Sequence, residues 1–317
     1  MLAPRTIHPS RIATTGRLVT ARSFRSSSPL GLQQQQQQLP LCHQLSMSMS
    51  SPPKTLSRQG QQLWANAPFA LITDTGIDSR PDFPRDHYAY ELARMMAHIH
   101  NTLLRALNAS YNQCLSISPD TPETQDFLIF NQCLYSMVKS HHDMEEESLF
   151  PAIGKVSGNP DVMAVNVQEH KRFETELQNF QAYIHDTDPK AYSGTQMKSL
   201  LESLGPLLRE HLHHEIATLL DLHTVDSEAL KGVFGMAQRG SSSDGSHDFF
   251  KDIPFALTCE DITLLLDGKP TPPFPGNLVR QLLKWTVGWR YSGVWRFAPS
   301  DFLGNPRPLL SPNPSNS

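Results

Sequence analysis

Histidine and glutamate recur in this chain at the spacing that builds metal sites. His141 and Glu145, His170 and Glu174, and His211 and Glu215 are each four residues apart, which on a helix sets an imidazole and a carboxylate one turn apart on one face. Five of the 14 histidines have a glutamate four residues on, where random placement would give about half a pair. Of the other two pairs, His87 and Glu91 read as a solvated helix-surface pair. His142 and Glu146 read as a one-residue shadow of the main pair. With His100 added, three two-ligand faces and one histidine, on four helices, suffice to hold a pair of iron ions in a bundle core.

The elements that must position these residues are legible as apolar stripes. Asp86 can cap a first helix carrying Leu92, Met96, Leu103 and Leu107. His100 shares that stripe more closely than His98. Thr121-Pro122-Glu123 opens a second helix with a cap, a proline at the first helical position and an early acid, and Phe150-Pro151 closes it. Asn159-Pro160-Asp161 opens a third that runs to about Ile184. A fourth, from about Gln196 to Leu222, contains Pro206 as a candidate kink. At a rise of about 1.5 Å per residue the His–Glu pairs align in one layer of an all-α, up-down-up-down four-helix bundle. The first hairpin carries a mismatch of about six residues for the 115–120 loop to absorb.

His141-His142-x-x-Glu145-Glu146-Glu147-x-Leu149-Phe150-Pro151, Glu169-His170-x-x-x-Glu174 and Glu210-His211-Leu212-His213-His214-Glu215 together resemble the hemerythrin HHE cation-binding family in its fungal form, over residues 84–225. The resemblance implies a non-haem di-iron site with His100, His141, Glu145, His170, Glu174, His211 and Glu215 as ligands, Glu145 and Glu215 bridging. The invertebrate oxygen carriers have a second histidine where this chain has Glu174. A further carboxylate is harder and more anionic and favours Fe(III). That turns the expectation from reversible oxygen carriage toward sensing, buffering or reacting with iron, dioxygen or peroxide. A di-iron enzyme of peroxide or NO chemistry, with His142, Glu146 and His214 as spare titratable groups, and a structural or zinc-bound bundle are the alternatives.

Residues 1–73 contain no acid, and Arg5, Arg11, Arg17, Arg22 and Arg25 are spaced among Ser, Thr, Ala and Leu. That is the composition of a mitochondrial transit peptide over residues 1–46, and initiation at Met47 would leave a cytoplasmic form. Residues 47–83 read as a linker too polar to order itself. Past the bundle, 236–247 reads as a Gly/Ser/Asp linker. Residues 226–317 form an extension packed on the bundle, with an amphipathic helix at 278–291 suited to strapping the bundle or to attaching to a membrane surface or partner. A net charge of −4 gives no sign of nucleic-acid binding, and no segment is long enough for a membrane crossing. Cys42, Cys114, Cys133 and Cys259 lack paired spacing and read as thiols of a reducing compartment. Phosphate loops, nucleophilic triads and Rossmann glycines are absent.

Overall fold

A computed structural model describes residues 63–240, 248–270 and 275–310, the side chains of 235–240 excepted. The transit-peptide segment and residues 241–247 of the linker lie outside the described residues. All described residues belong to one unit, Arg58–Ser317.

Four long helical stretches make the up-down-up-down bundle. They are α1 (Tyr88–Gln113), α2 (Pro122–Met144), α4 (Ala164–Asp186) and α5 (Gly194–Asp221). Helix α1 lies against α2 and α5, and α4 lies against the same two. Helix α1 is capped by His87, whose Nδ1 accepts from the Ala89 amide, and not by Asp86. Helix α4 starts at Ala164, past Asn159-Pro160-Asp161, with no side-chain cap. Helices α2 and α5 follow the capping chemistry. The Thr121 hydroxyl accepts from the Thr124 amide ahead of Pro122, and Ser193 accepts from the Gln196 amide. Helix α5 continues through Pro206. The first hairpin is less mismatched than the sequence suggests, because a 3₁₀ turn (Cys114–Ser116) extends α1. Sixteen residues then separate His100 from Ser116, against nineteen between Pro122 and His141.

Two further boundaries differ from expectation. The second helix does not stop at Phe150-Pro151. It passes through a π-turn, Glu145–Leu149, into α3 (Phe150–Ser157). Proline is tolerated there because it stands in the first turn after the π-turn, where its missing N–H leaves no helical bond unmade. Order also begins well before Pro84. Ala65, Phe69, Ile72, Ile77 and Phe83 are buried in the core. Two asparagines of α1 meet the backbone of this segment. Asn101 accepts from the Ile72 amide at 2.7 Å and donates to the Ile72 carbonyl at 2.8 Å. Asn108 accepts from the Phe69 amide at 2.8 Å and donates to the Ala65 and Phe69 carbonyls. Few but well-spaced apolar residues suffice when the receiving helix satisfies the polar backbone.

Among the described residues the C-terminal extension adds three α-helices and a short hairpin. Helix α6 (Ser227–Gly240), which takes in the first part of the expected linker, lies on α1 and α3, and α7 (Phe249–Cys259) lies on α1 and α2. A two-residue hairpin pairs β1 (Leu265–Leu266) with β2 (Lys269–Pro270). Helix α8 (Asn277–Thr286) rests on α7. Buried Arg105 of α1 ties these parts together, donating to Asp261 at 3.0 Å, Ser300 at 2.8 Å, the Cys259 and Pro299 carbonyls, and Asn66. Cys114, Cys133 and Cys259 are buried free thiols. Among the described residues no helix is long and apolar enough to cross a membrane.

Gly205 of α5 tests the docking of the 63–83 segment. A Cβ there would lie 2.1 Å from the Phe69 ring. Gly→Ala inside a helix normally stabilises by about 0.5–1 kcal/mol. Here Gly205→Ala is expected to destabilise by about 1–3 kcal/mol in urea unfolding, because Phe69 must leave its seat.

Candidate metal centre

The bundle brings four histidines, one per long helix, to a single level. His100 Nε2 lies 3.1 Å from His141 Nε2, and His170 Nε2 lies 3.1 Å from His211 Nε2. Two carboxylates join the pairs. Glu145 sets Oε1 at 3.1 Å from His141 Nε2 and Oε2 at 3.6 Å from His170 Nε2. Glu215 Oε2 lies 3.3 Å from His100 Nε2 and 3.8 Å from His211 Nε2. His142 completes the cluster, its ring centroid 4.5 Å from that of His170 and 5.1 Å from that of His211. All seven side chains are buried, and His100, Glu145 and Glu215 have no exposure at all.

Donor atoms fall into two groups of four, each with all atoms within 4.8 Å of one another. One is His100, His141, Glu145 and Glu215; the other is His142, Glu145, His170 and His211. The chemistry of the set fits a pair of cations. None of the four oxygens of Glu145 and Glu215, and neither nitrogen of His142, has a hydrogen-bond partner. The His–Glu approaches are close but lack hydrogen-bond alignment. Buried polar groups are hydrogen-bonded almost without exception, so six orphaned atoms in one dry cluster mark a place for a ligand.

An outer layer fixes the ring orientations. His100 Nδ1 donates to the Leu212 carbonyl at 2.7 Å, which leaves its Nε2 lone pair facing inward. His170 Nδ1 meets Glu146 Oε1 at 2.6 Å, and His211 Nδ1 meets Glu169 Oε2 at 3.2 Å. The other Glu169 oxygen holds His214 Nδ1 at 3.0 Å. Carboxylates behind ligating imidazoles set the tautomer and raise basicity. Burial pushes His100 and His141 down to about 3 and holds His142 and His211 well below the usual imidazole range, so all four stay neutral and able to coordinate. Burial also raises Glu215 to about 7, and Glu145, burdened further by the charge of Glu215, well above the usual carboxylate range.

Of the seven residues taken from the sequence, six meet here: His100, His141, Glu145, His170, His211 and Glu215. Glu174 does not. It is exposed and accepts from Gln178 at 3.2 Å. The reason is rotational. In α2 and α5 the position four residues on, about 40° round the helix, falls inside the buried sector. In α4 the buried sector lies on the other side of His170, marked by Phe173, Leu177 and Phe180, so Glu174 turns to solvent. His142 occupies the opening instead. It stands about 100° from His141, with Glu145 between them, so α2 faces α1 with one histidine and α4 with the next.

Fold and site together define a metal-cation-binding helical bundle. The sequence model of the hemerythrin HHE cation binding domain matches residues 90–222. The dimeric xanthone biosynthesis cluster protein R11 of Cryptosporiopsis sp. (strain 8999) is 34% identical over 224 residues, covering 71% of this chain and 84% of that protein. No solved structure matches. The chain belongs to the hemerythrin HHE cation-binding family.

The proton count on metal loading follows from these shifts. A carboxyl raised to about 7 keeps its proton at pH 6, whereas the lowered histidines have none to give. Metal loading of the apo-protein at pH 6 is therefore expected to release protons from Glu145 and Glu215, and the Glu215 share should shrink as pH rises through 7. The same shifts act on apo stability. Below about pH 6.5 the unfolded chain takes up histidine protons that the folded chain refuses, so apo stability falls with acid. Titration calorimetry in buffers of different ionisation enthalpy measures the release. A release that grows with pH would contradict it.

Proposed function

We propose that this chain is a non-haem di-iron protein that senses, buffers or reacts with iron, dioxygen or peroxide. The observation that carries the reading is Glu145, whose two oxygens face opposite halves of a two-part donor cluster. In this reading Glu145 and Glu215 would be shared between the two ions, with His100 and His141 holding one and His142, His170 and His211 the other. A set of imidazoles and shared carboxylates without thiolate suits iron better than a four-coordinate structural zinc. When bound, the irons supply the redox chemistry toward dioxygen or peroxide. The chain's own residues exclude bulk water, hold the inward nitrogens of His100, His141, His142 and His211 unprotonated, and turn the outer Nδ1 atoms of His170, His211 and His100 to Glu146, Glu169 and the Leu212 carbonyl.

A surface cavity of about 520 Å³, lined by Glu146, Phe150, Pro151, Lys155, Met163 and Val167, abuts this layer through Glu146 and Phe150. Phe150 stacks on His170 with centroids 5.8 Å apart. A route in past these two side chains suits a diatomic molecule or peroxide. A second reading, a di-iron enzyme acting in a biosynthetic pathway, draws on the relative's place in a biosynthesis cluster. The acid-free, arginine-bearing N-terminal sequence supports mitochondrial delivery, with Met47 as the start of a cytoplasmic form.

The test is anaerobic loading of the full chain with Fe(II), followed by air or peroxide while absorption and iron content are recorded. Expected are new near-ultraviolet and visible bands that dithionite bleaches. Glu174→Gln should match the parent, whereas His142→Ala should keep about one iron of the two, since its half has lost a donor. Bands absent from the parent, or zinc retained through reduction and reoxidation, would contradict the reading.

A further inference from the structure

Helix α8 presents an apolar face that the fold leaves uncovered by any described residue. Leu278, Leu282 and Trp285 follow one another at intervals of four and three, which puts them on one side of the helix, and Trp289 stands in the turn just past its end. They are 85, 62, 78 and 68% exposed. The opposite side is anchored. Arg280 pairs with Glu260, its Nε donates to the Pro275 carbonyl at 3.0 Å, and Val287 is buried. The orientation of the apolar face is therefore set by the fold.

The charge around this face is one-sided. From Gly268 to Ser300 the sequence has five cations and no Asp or Glu, while the rest of the chain carries all 31 acids. Arg280 is engaged with Glu260, and Arg296 with Glu123 and Asp126. Lys284 and Arg290 are exposed and have no carboxylate partner among the described residues. Lys284 flanks the apolar face, and the Arg290 guanidinium lies 4.8 Å from the Phe250 ring centroid. Two tryptophans and two leucines between unpaired cations are what an interfacial helix needs: indole rings at headgroup level, aliphatic side chains below, cations against phosphate. Ten residues of helix lie along a bilayer surface and do not cross it.

We propose that α8 docks the protein on an anionic phospholipid surface through Leu278, Leu282, Trp285 and Trp289, with Lys284 and Arg290 selecting anionic headgroups. The occupant is a bilayer because the charge is complementary to one and the exposed face is rich in tryptophan.

The test is flotation of the full chain with phosphatidylcholine vesicles with and without phosphatidylserine, with tryptophan emission recorded. Expected are binding to the anionic vesicles and a blue-shifted emission. Neutralising both cations, Lys284→Gln with Arg290→Gln, should weaken binding about thirtyfold, at about fivefold per charge. Leu282→Ser with Trp285→Ser should abolish binding with helical content and metal content unchanged, since both side chains are exposed. Absence of flotation on either vesicle overturns the proposal. So does equal flotation of parent and variants, which would assign binding to the arginines of the N-terminal sequence. A self-association that the Leu282/Trp285 variant removes, without lipid binding in the parent, would give the face to a second copy and overturn it as well.

Discussion

Two carboxylates and five imidazoles share a dry core, and the rest of the structure answers to that burial. An isolated buried carboxylate costs several kcal/mol, and two facing each other cost more. His100, His141, His142 and His211, held neutral by burial, cannot offset them, so apo Glu215 and Glu145 retain protons that a cation would displace. The cluster is thus a source of instability until it is filled. The bundle must hold four helices at one level for the filling to work. Apolar packing of Met96, Phe127, Phe173, Leu208 and Leu212 above and below the layer supplies that constraint.

Helix α1 is the element on which both demands meet. His100 faces the cluster, tethered through Nδ1 to the α5 backbone at Leu212. Asn101, Arg105 and Asn108 face the other way and hold the 63–83 segment and the C-terminal extension. The family match ends at residue 222, yet the chain on either side of it is fastened to the helix that supplies a candidate ligand. These flanking segments bury the outside of α1, and a surface cavity lies beside Glu146 and Phe150.

The bundle was legible because helical periodicity and capping are local. Thr121-Pro122, Ser193 and the leucine rows of α5 specify their elements with little help from tertiary contacts. Five of the ligand candidates that meet, His141, Glu145, His170, His211 and Glu215, followed from a four-residue spacing for the same reason, and His100 from its place on the apolar stripe of α1. Glu174 failed because spacing gives the angle between two side chains but not which flank of a helix is buried. Phe173, Leu177 and Phe180 carried that information, all lying on the side of His170 away from Glu174. His142 resembled a shadow of His141, since only the packing of α4 beside α2 shows both flanks to be interior. With Glu174 outside, the cluster holds five imidazoles and two carboxylates. The expectation of an Fe(III)-favouring centre built on a third carboxylate ligand therefore loses that support, and the anionic influence passes to Glu146 and Glu169 behind the rings. The 63–83 segment was missed because its order comes from side chains of α1 thirty to forty residues away.

The central claim is that the buried cluster is a two-cation site, and native mass spectrometry of the full chain as isolated addresses it most directly. The account requires a folded species heavier than the polypeptide by two metal ions, converted by a chelator at low pH to one of polypeptide mass with a broader, more unfolded charge distribution. A chain that is metal-free as isolated, takes up no ion from Fe(II), Mn(II) or Zn(II), and keeps the same compact charge distribution would contradict it. The histidines and glutamates would then be core residues alone.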